Sequence, residues 1–295
     1  MKIKIIFAGL CLLCAVLSCS TANDDRVLNE QAVAPVTVSV NNFSMTQEDF
    51  SGTRSTPVAN YEKVKAVTLA FYRDAIEVYK ATQSKDDAST YTTFGSFSLA
   101  LPMGSYTMVV LAYGLYDDDE VTLTSATQAA YTVGNPRDTF VASQEVNITG
   151  TSAVDISATL DRIVSQLNLT SSDLRTFDVD KVRVTFSAGG KAFNPTTGLA
   201  TVNTGFSNTV SISAEVGYKS ASLSYLFLGE DEQTMNVTIE TLGVSGNTIY
   251  STTVNNVPFK RNRVTKLKGS IYPTTGAAGS FVVETDWLTQ EDVNF

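Results

Sequence analysis

Side chains able to do covalent or metal chemistry are few in this chain of 295 residues, and they are placed unevenly. All three cysteines, Cys11, Cys14 and Cys19, fall at or before position 19, and histidine is absent. The commonest general base and the commonest metal ligand are therefore missing, which removes most hydrolytic and metal-dependent designs. Cys19 is the residue placed for chemistry. It closes an apolar run, Ile5 to Leu17, that follows the basic head Met1-Lys2-Ile3-Lys4. The run is too short to cross a bilayer as a stable helix and lacks a stop-transfer flank, so residues 1–18 read as a cleaved export signal outside the fold. After that cut no second thiol is left for a disulfide, a soft metal site or a nucleophile, and stability must come from packing.

Val16-Leu17-Ser18-Cys19 resembles the lipobox of bacterial lipoproteins, with Val16 where that motif usually has leucine. The resemblance implies a diacylated Cys19 thiol and a new amino terminus open to acylation. Several acyl chains anchor far more firmly than one, at roughly 0.8 kcal/mol per buried CH2. Without the lipobox, the signal ends near Ala22 and the protein is secreted in soluble form. Ser20 to Glu30 is polar and poor in apolar residues, as a tether would be. Within it, Asp24-Asp25 resembles the acidic signal that sends some Bacteroidetes lipoproteins to the outer face of the outer membrane.

Losing Lys2 and Lys4 reduces the 21 basic side chains to 19 against 30 acidic ones, which moves the formal charge from -9 to -11. A field of that sign repels nucleic acid and anionic lipid, so no polynucleotide partner and no basic-patch membrane binding is expected. No cofactor or metal is expected either. Asp117-Asp118-Asp119-Glu120 lacks the spaced ligands of a calcium loop and reads as a solvated acidic turn. Tyr113 and Tyr116 beside it are either strand-end core residues or a stacking surface for a glycan. Asp173, Asp178 and Asp180 are loosely grouped, with nothing to place two of them across a glycosidase cleft. The chain reads as non-enzymatic.

The abundance of threonine, serine, valine and tyrosine suits a pleated, half-buried surface. Val36, Val38 and Val40 alternate with Thr37, Ser39 and Asn41, which predicts a strand with one buried face. Thr46 to Asn60, interrupted by Gly52, Arg54 and Pro57, reads as an exposed loop presenting an arginine. Strands are predicted through Lys63 to Tyr72, Phe97 to Leu101 and Tyr106 to Tyr113, the last two joined as a hairpin by Pro102-Met103-Gly104-Ser105. Val141 to Ile148 ends the first half, and Gly150 to Ser152 marks a boundary. In the second half Ile156 to Leu169 is predicted as one long strand, and short strands follow as far as Phe281 to Trp287. Short strands at this spacing without helices predict an all-β chain of antiparallel sandwiches. The expected division is residues 1–18 signal peptide, 19–35 tether, 36–151 first domain and 152–295 second domain.

The Cys19 signal, the strand and loop ending near Thr53-Arg54, the Leu101-Pro102-Met103-Gly104-Ser105-Tyr106 joint and a last strand containing Trp287 together resemble the fimbrillins of Bacteroidales type V pili, including FimA-type and Mfa-like subunits. That resemblance covers nearly the whole mature chain and implies two tandem transthyretin-like β-sandwiches. It also implies a cycle of export, cleavage and assembly. In members that form the shaft an arginine-directed protease cuts behind the first strand, and Arg54 matches that place, making Arg54-Ser55 the implied bond. The strand holding Val36, Val38 and Val40 would leave with the lipid, and another chain would fill the groove by strand addition. Re-burying three or four such side chains returns about 5 to 12 kcal/mol gross. Phe281, Val283 and Trp287 share one face of the C-terminal strand, which is either the donor or simply the last strand of its own domain. Implied partners are other fimbrial subunits, the outer membrane through the lipid, and a host protein or glycan, at the cell surface. Two alternatives stay open: a fimbrial anchor that keeps its lipid, and a monomeric surface lipoprotein that binds polysaccharide through a sandwich face.

Overall fold

Alternation governs the first strand. In the computed structural model, which describes residues 32–45, 54–57, 61–116, 119–212, 214–272 and 281–284, β1 (Val33–Met45) buries Ala34, Val36, Val38 and Val40. Pro35, Thr37 and Ser39 turn the other way. β1 starts ahead of the predicted Val36, so the end of the expected tether is sheet, and Ala34 is fully buried.

The first half continues with β2 (Arg54–Pro57), β3 (Ala66–Arg73), β4 (Ile76–Ser84), β5 (Ser96–Pro102), β6 (Gly104–Tyr113), β7 (Glu120–Ser125), β8 (Gln128–Val133) and β9 (Thr139–Ile148). β10 (Val154–Arg162) follows. Eight of these strands form one sheet in which β2 and β5 flank one side of β1, β10 flanks the other, and the order runs on through β9, β6, β3 and β4. β10 meets β9 only where Asp161 faces Val141 and Arg162 faces Phe140, so the sheet creases there. Its two arms close over a core that includes Val36, Val38, Leu69, Phe71, Met108 and Leu160. At the other margin the Gln83 amide donates to the Ser96 carbonyl (2.6 Å) and accepts from the Gly95 amide (2.7 Å), tying β4 to the start of β5.

The Pro102 to Ser105 joint is a corner between arms, which corrects the hairpin expectation. β5 pairs with β1, whereas β6 lies between β3 and β9. Gly104 has φ +151°, and the Arg73 guanidinium lies where a Cβ would stand, so the crossing needs glycine. A proline-glycine pair marks a reversal without stating whether the two strands it joins will pair.

The second half contains β11 (Ser165–Ser171), β12 (Lys181–Phe186), β13 (Ala192–Asn194), β14 (Leu199–Ala200), β15 (Phe206–Ser211), β16 (Ala221–Leu226), β17 (Glu232–Leu242), β18 (Thr248–Lys260), β19 (Val264–Gly269) and β20 (Phe281–Glu284). Two four-stranded sheets, β16-β11-β19-β20 and β15-β12-β17-β18, enclose a second core around Leu167, Phe186, Val237, Ile239, Phe259 and Leu267.

The stretch expected as one strand from Ile156 to Leu169 breaks at Ile163-Val164. Before the break, β10 lies parallel to β1 in the first sheet, and after it β11 lies parallel to β19 in the second sandwich. The chain thus changes sheets beyond the predicted Gly150 to Ser152 boundary. Alternation records that a strand has a buried face and is silent about which sheet buries it. β13 and β14, which no pattern announced, pair with each other, and β13 pairs with β8, which carries the second half onto the β7-β8 hairpin. There a third core draws on both halves, including Tyr72, Leu111, Tyr131, Phe193 and Phe227. β3 and β6 are therefore covered on both faces, which explains their nearly unbroken apolar runs. No helix among the described residues is long and apolar enough to cross a membrane.

Candidate functional site

β1 is an interior strand. Val33 to Ser39 pair antiparallel with β5, and Val36 to Ser44 pair parallel with β10, with a bulge between Val40 and Asn42. Val36, Val38 and Val40 are 1%, 0% and 4% exposed and belong to the first core. Taking β1 away would leave two unpaired strand edges about 10 Å apart, twice the ordinary strand spacing. Burying three valines contributes about 5 to 9 kcal/mol gross. Register in such a slot is strict, because a slip of one residue would turn the valines outward and bring Thr37 and Ser39 in.

Arg54 and Ser55 open β2, facing Met45 and Ser44 of β1. The backbone here is a short strand where irregular chain was expected, because Arg-Ser-Thr-Pro can extend and lie along the free flank of β1 beyond β5. β2 stands at the end of the strand order and pairs over four residues, so freeing the Arg54-Ser55 bond needs only a small local opening.

β20 lies antiparallel to β19, with Phe281 and Val283 packed against the second core and Val282 turned out. Phe281 faces Gly269, and its ring occupies the place of a Cβ at that glycine. In this chain the strand lies at the edge of its own sandwich. Cys19 and Trp287 lie outside the described residues.

A buried ionic clamp holds the crease beside β1. The Asp138 carboxylate accepts from Arg162 Nε (2.7 Å) and Nη2 (3.0 Å), and from the Tyr61 hydroxyl (2.6 Å). Arg162 Nη2 also donates to the Tyr61 oxygen (2.7 Å), and the guanidinium lies over the Phe140 ring at 4.9 Å. Burial, then the Asp138 charge, pushes the Tyr61 phenol well above its ordinary value. Burial opposes the charge on Arg162, yet Asp138 and Tyr61 outweigh it and raise its pKa. Breaking such a pair on one side costs roughly 3 to 5 kcal/mol. Sequence reading missed this clamp, because its members are distant in the chain and only the fold brings them together.

The sequence matches the model of a family of unknown function, DUF6562, over residues 29–292. The chain belongs to that family. No curated protein sequence matches it. Among solved structures the DUF6562 chain is similar to a candidate adhesin from Bacteroides ovatus, with a TM-score of 0.53 and 12% identity over 88% of this chain and 96% of that one. A second candidate adhesin, from Bacteroides ovatus ATCC 8483, gives 0.51 and 12% over 82% and 88%. The fimbrial anchor protein Mfa2 from Porphyromonas gingivalis gives 0.50 and 12% over 85% and 95%. At these identities the likeness is one of fold. The neighbours are adhesion and fimbrial proteins rather than enzymes.

Of the other sequence candidates, Asp117 and Asp118 lie outside the described residues, while Asp119, Tyr113 and Asp173 are engaged within the DUF6562 chain. Asp119 is occupied by Arg137 (2.6 Å) and by the amides of Tyr116 (3.0 Å) and Asn135 (3.2 Å). Tyr113 is buried, with its hydroxyl 3.0 Å from that of Thr68, whereas Tyr116 is exposed and stacks with Arg137 at 4.3 Å. Asp173 receives the Ser270 hydroxyl and the Ile271 and Tyr272 amides. Among the described residues no group of three or more histidines, cysteines, aspartates and glutamates could hold a metal ion. A polar cleft of about 620 Å3, lined in part by Gln144, Asp161, Thr197 and Arg261, separates the β9-β10 crease from the β18-β19 turn. Its Arg162, Lys260 and Arg261 are paired with Asp138, Glu232 and Asp231.

Proposed function

We propose that this protein is a non-enzymatic, fimbrillin-like component of a cell-surface fimbria, tethered by lipid at Cys19, in which β1 is a replaceable part of its own core. The observation that carries the reading is that β1 is at once the first strand of the described fold, paired along both flanks, and the source of three fully buried valines. Cutting at Arg54-Ser55 would remove the anchor and that wall together. The slot would then accept a strand from another subunit, with the segment of Phe281, Val283 and Trp287 as donor and the two halves acting as tandem transthyretin-like sandwiches. Likeness of fold to candidate adhesins and to a fimbrial anchor supports the adhesive setting. The partners on this reading are other fimbrial subunits, the outer membrane through the lipid, and a host protein or glycan.

A second reading, an anchor that keeps its lipid, is favoured by the pairing of Arg54 into β2, since the uncut chain is self-contained. Amino-terminal sequencing of fimbriae stripped from cells decides between them. A shaft subunit begins at Ser55, and Arg54→Ala then leaves it uncut and unpolymerised. An anchor retains acylated Cys19. If all polymer-borne copies keep the lipidated leader, strand exchange through β1 is excluded, and if purified fimbriae lack the protein, the fimbrial reading fails.

A further inference from the structure

The two walls that flank β1 are held differently. β5 is tied at its start, where the Gln83 amide donates to the Ser96 carbonyl and accepts from the Gly95 amide, and at its finish, where the Tyr106 hydroxyl donates to the Pro102 carbonyl (2.6 Å). β10 is tied at one end. Its residues pair with β1 from Val154, opposite Val36, to Asp161, opposite Ser44, while among the described residues its other flank meets β9 only at Asp161 and Arg162. Ahead of Asp161, then, β1 is the one strand beside β10 among the described residues.

The grip of β10 on the core is graded in the same direction. Ala158 and Leu160 are buried, whereas Val154 and Ile156 are only partly so. The loop of residues 149–153 that leads into β10 is mostly exposed, with open space around Gly150. At the firm end stands the clamp. Arg162, the last residue of β10, donates twice to the Asp138 carboxylate, just ahead of β9, and once to the Tyr61 oxygen, ahead of β3. All three residues follow Arg54 in the chain, so the clamp stays with the body when β1 leaves.

We infer that the clamp of Tyr61, Asp138 and Arg162 is the pin that keeps β10 in place as a template once β1 has left, so that an incoming strand pairs first at the clamp end and closes from the seat of Val40 toward the seat of Val36. This rests on the strand-exchange reading and adds to it a direction and the residues that set it. Residues next to a fixed point are already ordered, whereas each residue of the loose end must be ordered as it pairs. Pairing therefore starts where ordering costs least. The three clamp residues act as positioning residues through β10, and they predict where entry and exit are decided. Contacts made early govern the rate of entry, and contacts made late govern the rate of exit.

The test uses the full mature chain with a dye on Cys19, the sole thiol left once residues 1–18 are gone, and with a sequence-specific protease site at residues 48–54. After the cut the labelled segment still occupies its seat. Fluorescence anisotropy reads its exit against excess unlabelled synthetic peptide of residues 32–45, and relaxation after dilution yields its entry rate. Val40→Ala in the segment should slow entry at least threefold with little change in exit, and Val36→Ala should quicken exit at least threefold with little change in entry. Arg162→Met should slow entry at least tenfold. Tyr61→Phe, which keeps the ring and removes one hydroxyl, should slow it less and decides the matter if Arg162→Met does not fold. Ile239→Ala, in the second core, is the control, because it should lower the melting temperature of the uncut chain and leave entry unchanged. A clamp that only stabilises would make its variants behave like Ile239→Ala. That result, or entry slowed by Val36→Ala and not by Val40→Ala, overturns the inference while strand exchange stands. A segment that never leaves the unmodified body overturns both.

Discussion

Ala75 holds a backbone conformation that its own side chain disfavours. The β3-β4 link has two residues, Asp74 at φ 51° and Ala75 at φ 64°, and two positive values in succession match the turn type whose twist suits a hairpin. An aspartate tolerates that region and an alanine does so at a cost of about 1 kcal/mol or slightly more, part of which glycine gives back through a freer unfolded chain. Ala75→Gly should therefore stabilise the protein by about 0.5 to 1 kcal/mol, read as a higher denaturant midpoint at unchanged slope. A lower midpoint would mean that the Ala75 methyl does more by packing than it costs in strain. The sequence shows Asp-Ala where Asp-Gly would announce a hairpin, so the turn itself was only half visible. The clamp of Tyr61, Asp138 and Arg162 was invisible, since nothing local separates a carboxylate about to be buried against a guanidinium from one left in water.

Elements were legible where burial is one-sided and local. Val36, Val38 and Val40 declared β1 by alternation, and the apolar runs of β3 and β6 declared strands without announcing the third core that covers their second face. What the pattern withheld was partnership: β1 lies parallel to β10, and β5 beside β1 instead of β6, through contacts distant in the chain. The last strand was foreseen, but its seat was not. Phe281 lies on Gly269, an aromatic ring covering the backbone of a strand glycine, and this contact fixes the register of a four-residue edge strand. In Gly269→Ala the new methyl must displace the ring. Amide exchange at Phe281 to Glu284 should then rise at least tenfold toward the unprotected rate, while β11 and β17 keep their protection. Unchanged exchange at β20 would show that the ring is not what holds it. Under the strand-exchange reading, the same variant should donate its tail more readily.

At the scale of the whole molecule the decisive feature is the third core, because it sets whether the two sandwiches behave as one body. Phe227 is fully buried, stacks on Phe193 at 4.3 Å and lies 6.2 Å from Tyr131, and so joins a ring of the second half to one from the β7-β8 hairpin of the first. Each sandwich also has a core of its own, and removing this bridge leaves both intact. Phe227→Ala should cost about 3 to 5 kcal/mol, as large-to-small changes in packed cores do. The more telling outcome concerns cooperativity. The unmodified chain, whose residues from Ala32 onward form one compact unit, should melt in a single calorimetric transition, and Phe227→Ala should split it in two. Leu169→Ala, inside the second core, serves as the control, because it should lower the melting temperature without splitting the transition. If Phe227→Ala melts as one, this ring is not what couples the two cores, and the remaining third-core residues such as Tyr131 and Phe193 carry the coupling instead. A rigid junction matters for the proposed assembly, since a strand seated at one end of a subunit can set the direction of the next only if the body between them does not bend.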